Sequence, residues 1–152
     1  MQRLCDACAP LDIEAVVTTG PMVAPEELNT SENVTAIGFV NHDEILPRAD
    51  LLVTHAGHGT VAAALTYGVP MLCIPFGRDQ NFNADRVQTL GLGTVLDPDS
   101  QTDVLRRAVR DMLKDDDLRK RAKQFSDSLQ AHPGIREALT AIDDTINSSQ
   151  PA

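Results

Sequence analysis

Between Asp50 and Gln80 the chain reads DLLVTHAGHGTVAAALTYGVPMLCIPFGRDQ, and its polar chemistry gathers at two points. The first is His55-Ala56-Gly57-His58-Gly59-Thr60, and the second is Gly77-Arg78-Asp79-Gln80. Gly57 and Gly59 carry no Cβ, so a ligand can approach their backbone closely and a positive φ is cheap. A helix opening near Thr60 presents unpaired N–H groups and a partial positive charge at its first turn. Together these make an anion site suited to a phosphate or diphosphate. Thr60 adds a hydroxyl, and His55 and His58 add ring N–H donors for the same oxygens. Neither the lysine-containing phosphate loop nor G-x-G-x-x-G occurs, so the common nucleotide fingerprints do not apply.

The flanking residues say what positions these groups. Asp50 to Thr54 and Met71 to Ile74 are continuous apolar runs, as expected for strands of a parallel sheet covered on both faces. The alanine-rich run between them predicts a helix that ends at Gly68-Val69-Pro70. The unit is therefore strand, glycine-rich turn, helix, strand, with polar residues at both strand exits. In open α/β sheets ligands bind outside those carboxyl ends.

Thr54 to Thr60, then Gly68-Val69-Pro70, then Gly77 to Gln80 with Asn83-Ala84, resembles the donor-binding signature of family 1 glycosyltransferases. The wording is closest to the bacterial branch that decorates natural products, and the similarity runs from about Val16 to the last third of the chain. The resemblance implies an α/β, Rossmann-like doubly wound parallel sheet: the second, donor-binding half of a two-domain GT-B fold, with helices at its C-terminus. It implies an inverting enzyme that uses a UDP- or dTDP-sugar and needs no further cofactor or metal. By the same resemblance His55 contacts the donor diphosphate, while Gly57, His58, Gly59 and Thr60 wrap the phosphates. Asp79 and Gln80 bond the hydroxyls of the transferred sugar, and Phe39-Val40 hold the nucleobase. The plant members carry a glutamate for the ribose where this chain has Ala63.

Composition narrows the field independently. At 152 residues the chain is one domain's worth and can bury a core. The formal charge is −9, and residues 1–100 hold only Arg3, Arg48, Arg78 and Arg86 against thirteen acidic side chains. An acidic protein with one Tyr and no Trp lacks the basic stripes and stacking rings that nucleic-acid binding needs. No apolar run approaches the roughly 20 residues that span a bilayer. There is no basic-then-apolar leader, so a soluble cytoplasmic protein is the expectation. Three cysteines make no disulfide framework. Cys5 and Cys8 form a C-x-x-C, which without a second pair reads as two small side chains packed on a sheet rather than a zinc or redox site.

Taken in order, Arg3 to Cys8 predicts a helix, and Ile13 to Thr18 predicts a strand that exits into Thr19-Gly20. That exit offers hydroxyl and N–H donors near a diphosphate, or is a plain turn. Val34 to Val40 predicts a second strand. Phe39 at its end is either a base-stacking ring or, as an aromatic in an apolar strand, core. Asn41 is a candidate N-cap for a short helix. Thr94 to Leu96 predicts the last strand. From Thr102 onward Val104, Leu105, Ala108, Val109, Met112 and Leu113 make a helical apolar stripe. A mixed-charge helix follows from Asp115, then a final one from Ile135 to about Ile146. The domain is expected to span residues 1–147, with a frayed tail over 148–152.

Two features are expected to be missing. The family's catalytic base and acceptor contacts lie in the N-terminal domain, so no residue here takes a catalytic role and the isolated chain is expected to be inactive. The family's second domain also opens with a strand, and this sequence begins in the helix after it. In a doubly wound sheet ordered 3-2-1-4-5-6 that strand is central. Its neighbours would pair directly or leave backbone groups unpaired, and the chain reads as a fragment. The alternative function is a non-catalytic nucleotide-sugar-binding subunit that works with a separate N-terminal acceptor domain.

Overall fold

The computed structural model describes residues 1–131 and residue 134. The expected final helix and the 148–152 tail lie outside the described residues. The elements are α1 (Gln2–Cys8), β1 (Ala15–Thr18), β2 (Val34–Ile37), α2 (His42–Ile45), β3 (Leu52–Thr54), α3 (His58–Tyr67), β4 (Met71–Cys73), α4 (Gln80–Thr89), β5 (Gly93–Val95), α5 (Thr102–Leu113) and α6 (Asp116–Ala131). The α/β class and the parallel pairing agree with the sequence. β1 to β4 are each one to three residues shorter than their apolar runs, and β5 has the expected length but starts one residue earlier, at Gly93.

The described strands form two sheets. β1 pairs only with β2, with Ala15 opposite Val34, and the second sheet runs β3-β4-β5, with Leu52 opposite Met71 and Met71 opposite Gly93. Among the described residues β1 and β3 do not pair with each other, so of the two outcomes expected for them, direct pairing and unpaired edges, the second is found. Each therefore keeps one edge without a strand neighbour among the described residues.

Helix α1 joins the two sheets through side chains. Cys5 and Cys8 face the first sheet, packing with Val34, Ile13, Ala15 and Val17. Ala7 and Leu4 face the second, against Ile74, Leu105, Val53 and Leu96. Two arginines fasten the helix to α5 and its approach: Arg3 donates to the carbonyls of Pro98 and Ser100 at 2.7 and 2.8 Å, and Arg106 donates to those of Asp6 and Ala7. The C-x-x-C pair is thus packed on a sheet, and burial pushes both thiols up from their ordinary range. A thiol held neutral is a poor nucleophile and a poor metal ligand.

The predicted stripe on α5 is the buried face, with Leu105, Val109 and Met112 in the core. On α6 the mixed charges form exposed pairs within the helix, including Asp116 with Arg119 and Lys123 with Asp127. Such pairs contribute little to stability. The helix is capped by Asp115, whose carboxylate accepts from the Leu118 N–H at 2.8 Å. Asn41 occupies the N-cap of α2, but its side chain donates to Glu44 at 2.8 Å and does not accept from the helix.

Helix α3 ends at Gly68, whose φ of +70° is the left-handed conformation of a helix C-cap. A second reason for glycine is packing: a Cβ there would lie 3.1 Å from the Lys123 Cα and 3.2 Å from the Ala122 carbonyl oxygen of α6. Beside this contact the Ser126 hydroxyl donates to the Thr66 carbonyl at 2.6 Å. Helix α6 thereby braces the C-terminal end of α3, and so holds the element whose N-terminus carries the polar loop.

Candidate functional site

Helix α3 begins at His58, two residues earlier than the sequence suggests, with Gly57 as its N-cap. No side chain caps it. The Val61 N–H donates to the Gly57 carbonyl at 3.0 Å, so the amides of His58, Gly59 and Thr60 are those without a partner inside the helix. His55, His58 and Gly59 are exposed and Thr60 is half-buried, which leaves the loop open to solvent and not folded into the interior. A Cβ built on Gly59 would meet nothing within 4 Å, so the approach to that amide is clear.

The role foreseen for glycine is redistributed. Gly57 has a φ of −64°, and the positive φ of the loop falls on Ala56 at +64°. Gly57 is small for another reason: its Cβ would stand 2.6 Å from His55 Nε2. The imidazole folds back across the glycine, which carries a ring nitrogen to the start of α3.

Ala56 is fully buried, and its peptide groups are held at both ends. Its N–H donates to the Thr54 hydroxyl at 3.1 Å, and its carbonyl accepts from Asn83 Nδ2 at 3.0 Å. Asn83 sits in the first turn of α4, so this bond ties the loop after β3 to the loop after β4. The same Nδ2 lies 3.3 Å from Asp79 Oδ2. His55-to-Thr60 and Asp79-Gln80, the two polar clusters read from the sequence, are thereby brought side by side.

The second loop is tightly wound. Arg78 has a φ of +59°, and Gln80 Oε1 accepts from the Phe76 N–H at 2.8 Å, closing the turn and leaving the amide NH₂ of Gln80 as its donor. Phe76 and Phe82 flank it with exposures of 74 % and 70 %.

Phe39 lies past the end of β2, not on it, and is 78 % exposed. The core assignment therefore does not hold, and its ring face is free. The strand stops early because Gly20, at φ +68°, turns the neighbouring chain away after one last bond from its N–H to the Gly38 carbonyl. Val40 is half-buried. Thr19 is buried, and its hydroxyl donates to the Gly20 carbonyl at 3.3 Å, within its own turn. Ala63 is half-buried on α3 and packs against the core.

A hollow of about 320 Å³ lies elsewhere, between β5, α5 and α6, bounded by Gly93, Met112, Leu118 and Arg121. The polar loops form an open shelf. Among the described residues no group of His, Cys, Asp and Glu is arranged to hold a metal ion, and no helix is long and apolar enough to cross a membrane.

Thr54, Ala56 and Asn83 fall within the signature read from the sequence, but sequence reasoning gave them no role of their own. Their roles depend on a bond between residues 27 apart and on a backbone conformation that alanine rarely adopts.

Comparison with known proteins gives concordant results. A family profile described as the erythromycin biosynthesis protein CIII-like C-terminal domain matches residues 2–144. An uncharacterised UDP-glucosyltransferase of Bacillus subtilis is 30 % identical over 139 residues, covering 90 % of this chain and 34 % of that protein. Among solved structures, the calicheamicin glycosyltransferase CalG4 superposes with a TM-score of 0.88 at 28 % identity, over 98 % of this chain and 38 % of that one. The glycosyltransferase VinC, solved with dTDP, gives a TM-score of 0.76 at 29 % identity, over 86 % of this chain and 33 % of that one. The chain thus spans about a third of the length of each of these three relatives.

Proposed function

The chain belongs to the erythromycin biosynthesis protein CIII-like C-terminal domain family, and from that premise we propose that it is the donor-binding half of a family 1, GT-B fold glycosyltransferase. It holds a UDP- or dTDP-sugar for inverting transfer to a hydroxyl of a small lipophilic acceptor. The relatives named for UDP-glucose transfer and solved with dTDP support this donor class. The observation that carries the assignment is the uncapped start of α3, with the His55 ring folded over Gly57 and Asp79 alongside.

In the proposed site the amides of His58, Gly59 and Thr60, the α3 dipole and His55 meet the diphosphate. Gly57 lets the ring lie close, and His58 and Thr60 add side-chain donors. Asp79 accepts from sugar hydroxyls while the Gln80 NH₂ donates to them. Phe39 stacks on the nucleobase beside Val40, and Thr19-Gly20 contribute from the neighbouring strand exit. On transfer the bond from the anomeric carbon to the diphosphate oxygen breaks as the acceptor oxygen attacks from the opposite face. Negative charge grows on the departing diphosphate, where preorganised N–H donors stabilise it most. The base that takes the acceptor's proton is assigned to an N-terminal domain, in cis or in trans, and the protein to the cytoplasm.

Calorimetric titration of the 152-residue chain with UDP, dTDP and GDP, and with the matching nucleosides, tests this. UDP or dTDP should bind, and His55→Ala should weaken the diphosphates by about tenfold or more, as expected for loss of a charge-assisted bond, while nucleoside affinity stays. Equal losses for both ligand types, or no binding of any diphosphate by the unaltered chain, would overturn the assignment. A second reading is a binding subunit that acts only with a separate acceptor domain. Transfer activity that appears only on mixing the two halves would establish it.

A further inference from the structure

We propose that Asn83 is a positioning residue for the diphosphate loop, holding Ala56 in its left-handed conformation and thereby aiming the amides that open α3. This rests on the donor-binding function proposed above and assigns a role to a side chain outside it.

Ala56 is a buried non-glycine residue at φ +64°, a conformation disfavoured for a residue with a Cβ. It persists only where the surroundings over-determine it. Two bonds do so. The Thr54 hydroxyl accepts from the Ala56 N–H at 3.1 Å, and Asn83 Nδ2 donates to the Ala56 carbonyl at 3.0 Å. That carbonyl belongs to the peptide unit whose other end is the Gly57 N–H. Its orientation therefore sets the direction of the Gly57 amide and of the N-cap that follows. Take away the Asn83 donor and the Ala56 carbonyl is left without this partner, so the peptide to Gly57 is free to rotate and residue 56 to relax out of its left-handed conformation. The amides of His58, Gly59 and Thr60 then lose their common aim.

Asn83 also reads the second loop. An amide nitrogen carries two hydrogens, and here one serves the Ala56 carbonyl while Asp79 Oδ2, 3.3 Å away, takes the other. One side chain therefore spaces the phosphate-facing backbone from the sugar-facing carboxylate. A leucine or alanine at 83 would allow the two loops to drift independently, and an aspartate would place a carboxylate against both an acceptor carbonyl and Asp79.

The test uses the full chain, with Asn83→Ala, Ala56→Gly and the double variant. Without ligand, the Ala56 amide should exchange with solvent at least tenfold faster in Asn83→Ala, while amides in the middle of α4 keep their rates. With ligand, Asn83→Ala should bind UDP or dTDP about tenfold more weakly than the unaltered chain and the nucleosides equally well. Glycine takes a φ of +64° without penalty, so Ala56→Gly placed in the Asn83→Ala background should recover part of the lost diphosphate affinity. A purely structural role would lower the melting temperature without separating diphosphate from nucleoside and without rescue by glycine. Unchanged Ala56 exchange, or unchanged diphosphate affinity in Asn83→Ala, overturns the positioning role while leaving the donor assignment standing. Failure of the unaltered chain to bind any diphosphate removes the donor assignment, and this proposal with it.

Discussion

At the scale of single residues, Gly57 and His55 make one unit. The ring nitrogen lies 2.6 Å from where a Cβ on residue 57 would stand, yet the backbone at Gly57 is one that alanine adopts easily. Gly57→Ala should therefore act through the imidazole, displacing it and weakening diphosphate binding about as much as His55→Ala. In a double-mutant cycle the second substitution should add almost nothing, because contacting residues are not additive; additive losses measured by calorimetry would separate the two. Cys73 gives a prediction of a different kind. Buried in β4, its thiol is pushed up to about 11 from an ordinary 9.0 by desolvation. The neutral thiol is thus favoured in the folded state. Its stabilisation is complete below pH 9 and is lost as pH rises toward 11, because over that window the unfolded chain has released the proton that the folded chain retains. Buried Cys5 and Cys8 and the Tyr67 hydroxyl, which donates to Asp43, are raised too and act in the same direction. Thermal melts should fall steadily across that window, and Cys73→Ala, although less stable at neutral pH, should show a shallower decline.

At the scale of elements, what matters is which helix end is held and which is left bare. Helix α3 is anchored at its C-terminus by Gly68 against α6 and by the bond from Ser126 to Thr66, while its N-terminus faces solvent. Gly68→Ala combines a left-handed backbone with a 3.1 Å approach to a neighbouring main chain. It should destabilise the fold by about 1–3 kcal/mol, measured by denaturant titration, and leave diphosphate affinity per folded molecule unchanged. A change in affinity without a change in stability would reassign Gly68 to the site. Much of this layer was legible beforehand. The apolar runs, the α5 stripe and the HAGHG turn all follow from period and residue type. What escaped the sequence was where the strain sits. Glycine advertises positive φ, so Gly57 and Gly59 drew that role, whereas Ala56 adopts it because Thr54 and Asn83 hold it there. Phe39 escaped in part for a similar reason. Its apolar neighbours suggest a strand to Val40, but pairing ends when Gly20 turns the adjacent chain aside.

At the scale of the molecule, the sheet is in two pieces with α1 laid across both. Strand order left two outcomes open, direct pairing of β1 with β3 or unpaired edges, and only the structure decides for the second. The way the split is bridged was not readable either, since it rests on α1 directing Cys5 and Cys8 to one sheet and Leu4 and Ala7 to the other. Open strand edges invite pairing with other chains, and charged side chains discourage it. Val16, exposed on β1, is therefore a useful place for a lysine. Val16→Lys should reduce concentration-dependent association in light scattering and shift the melting temperature little; unaltered association would exonerate that edge. Because no main-chain bond crosses from β1 to β3, the β1–β2 ribbon and the three-stranded slab share only a seam of side chains. Such a seam parts at its own threshold. Under mild urea the smaller leaf should peel away while β3, β4 and the loops they display stay folded, so the region proposed to grip an anion would outlive the region proposed to offer Phe39 to a base.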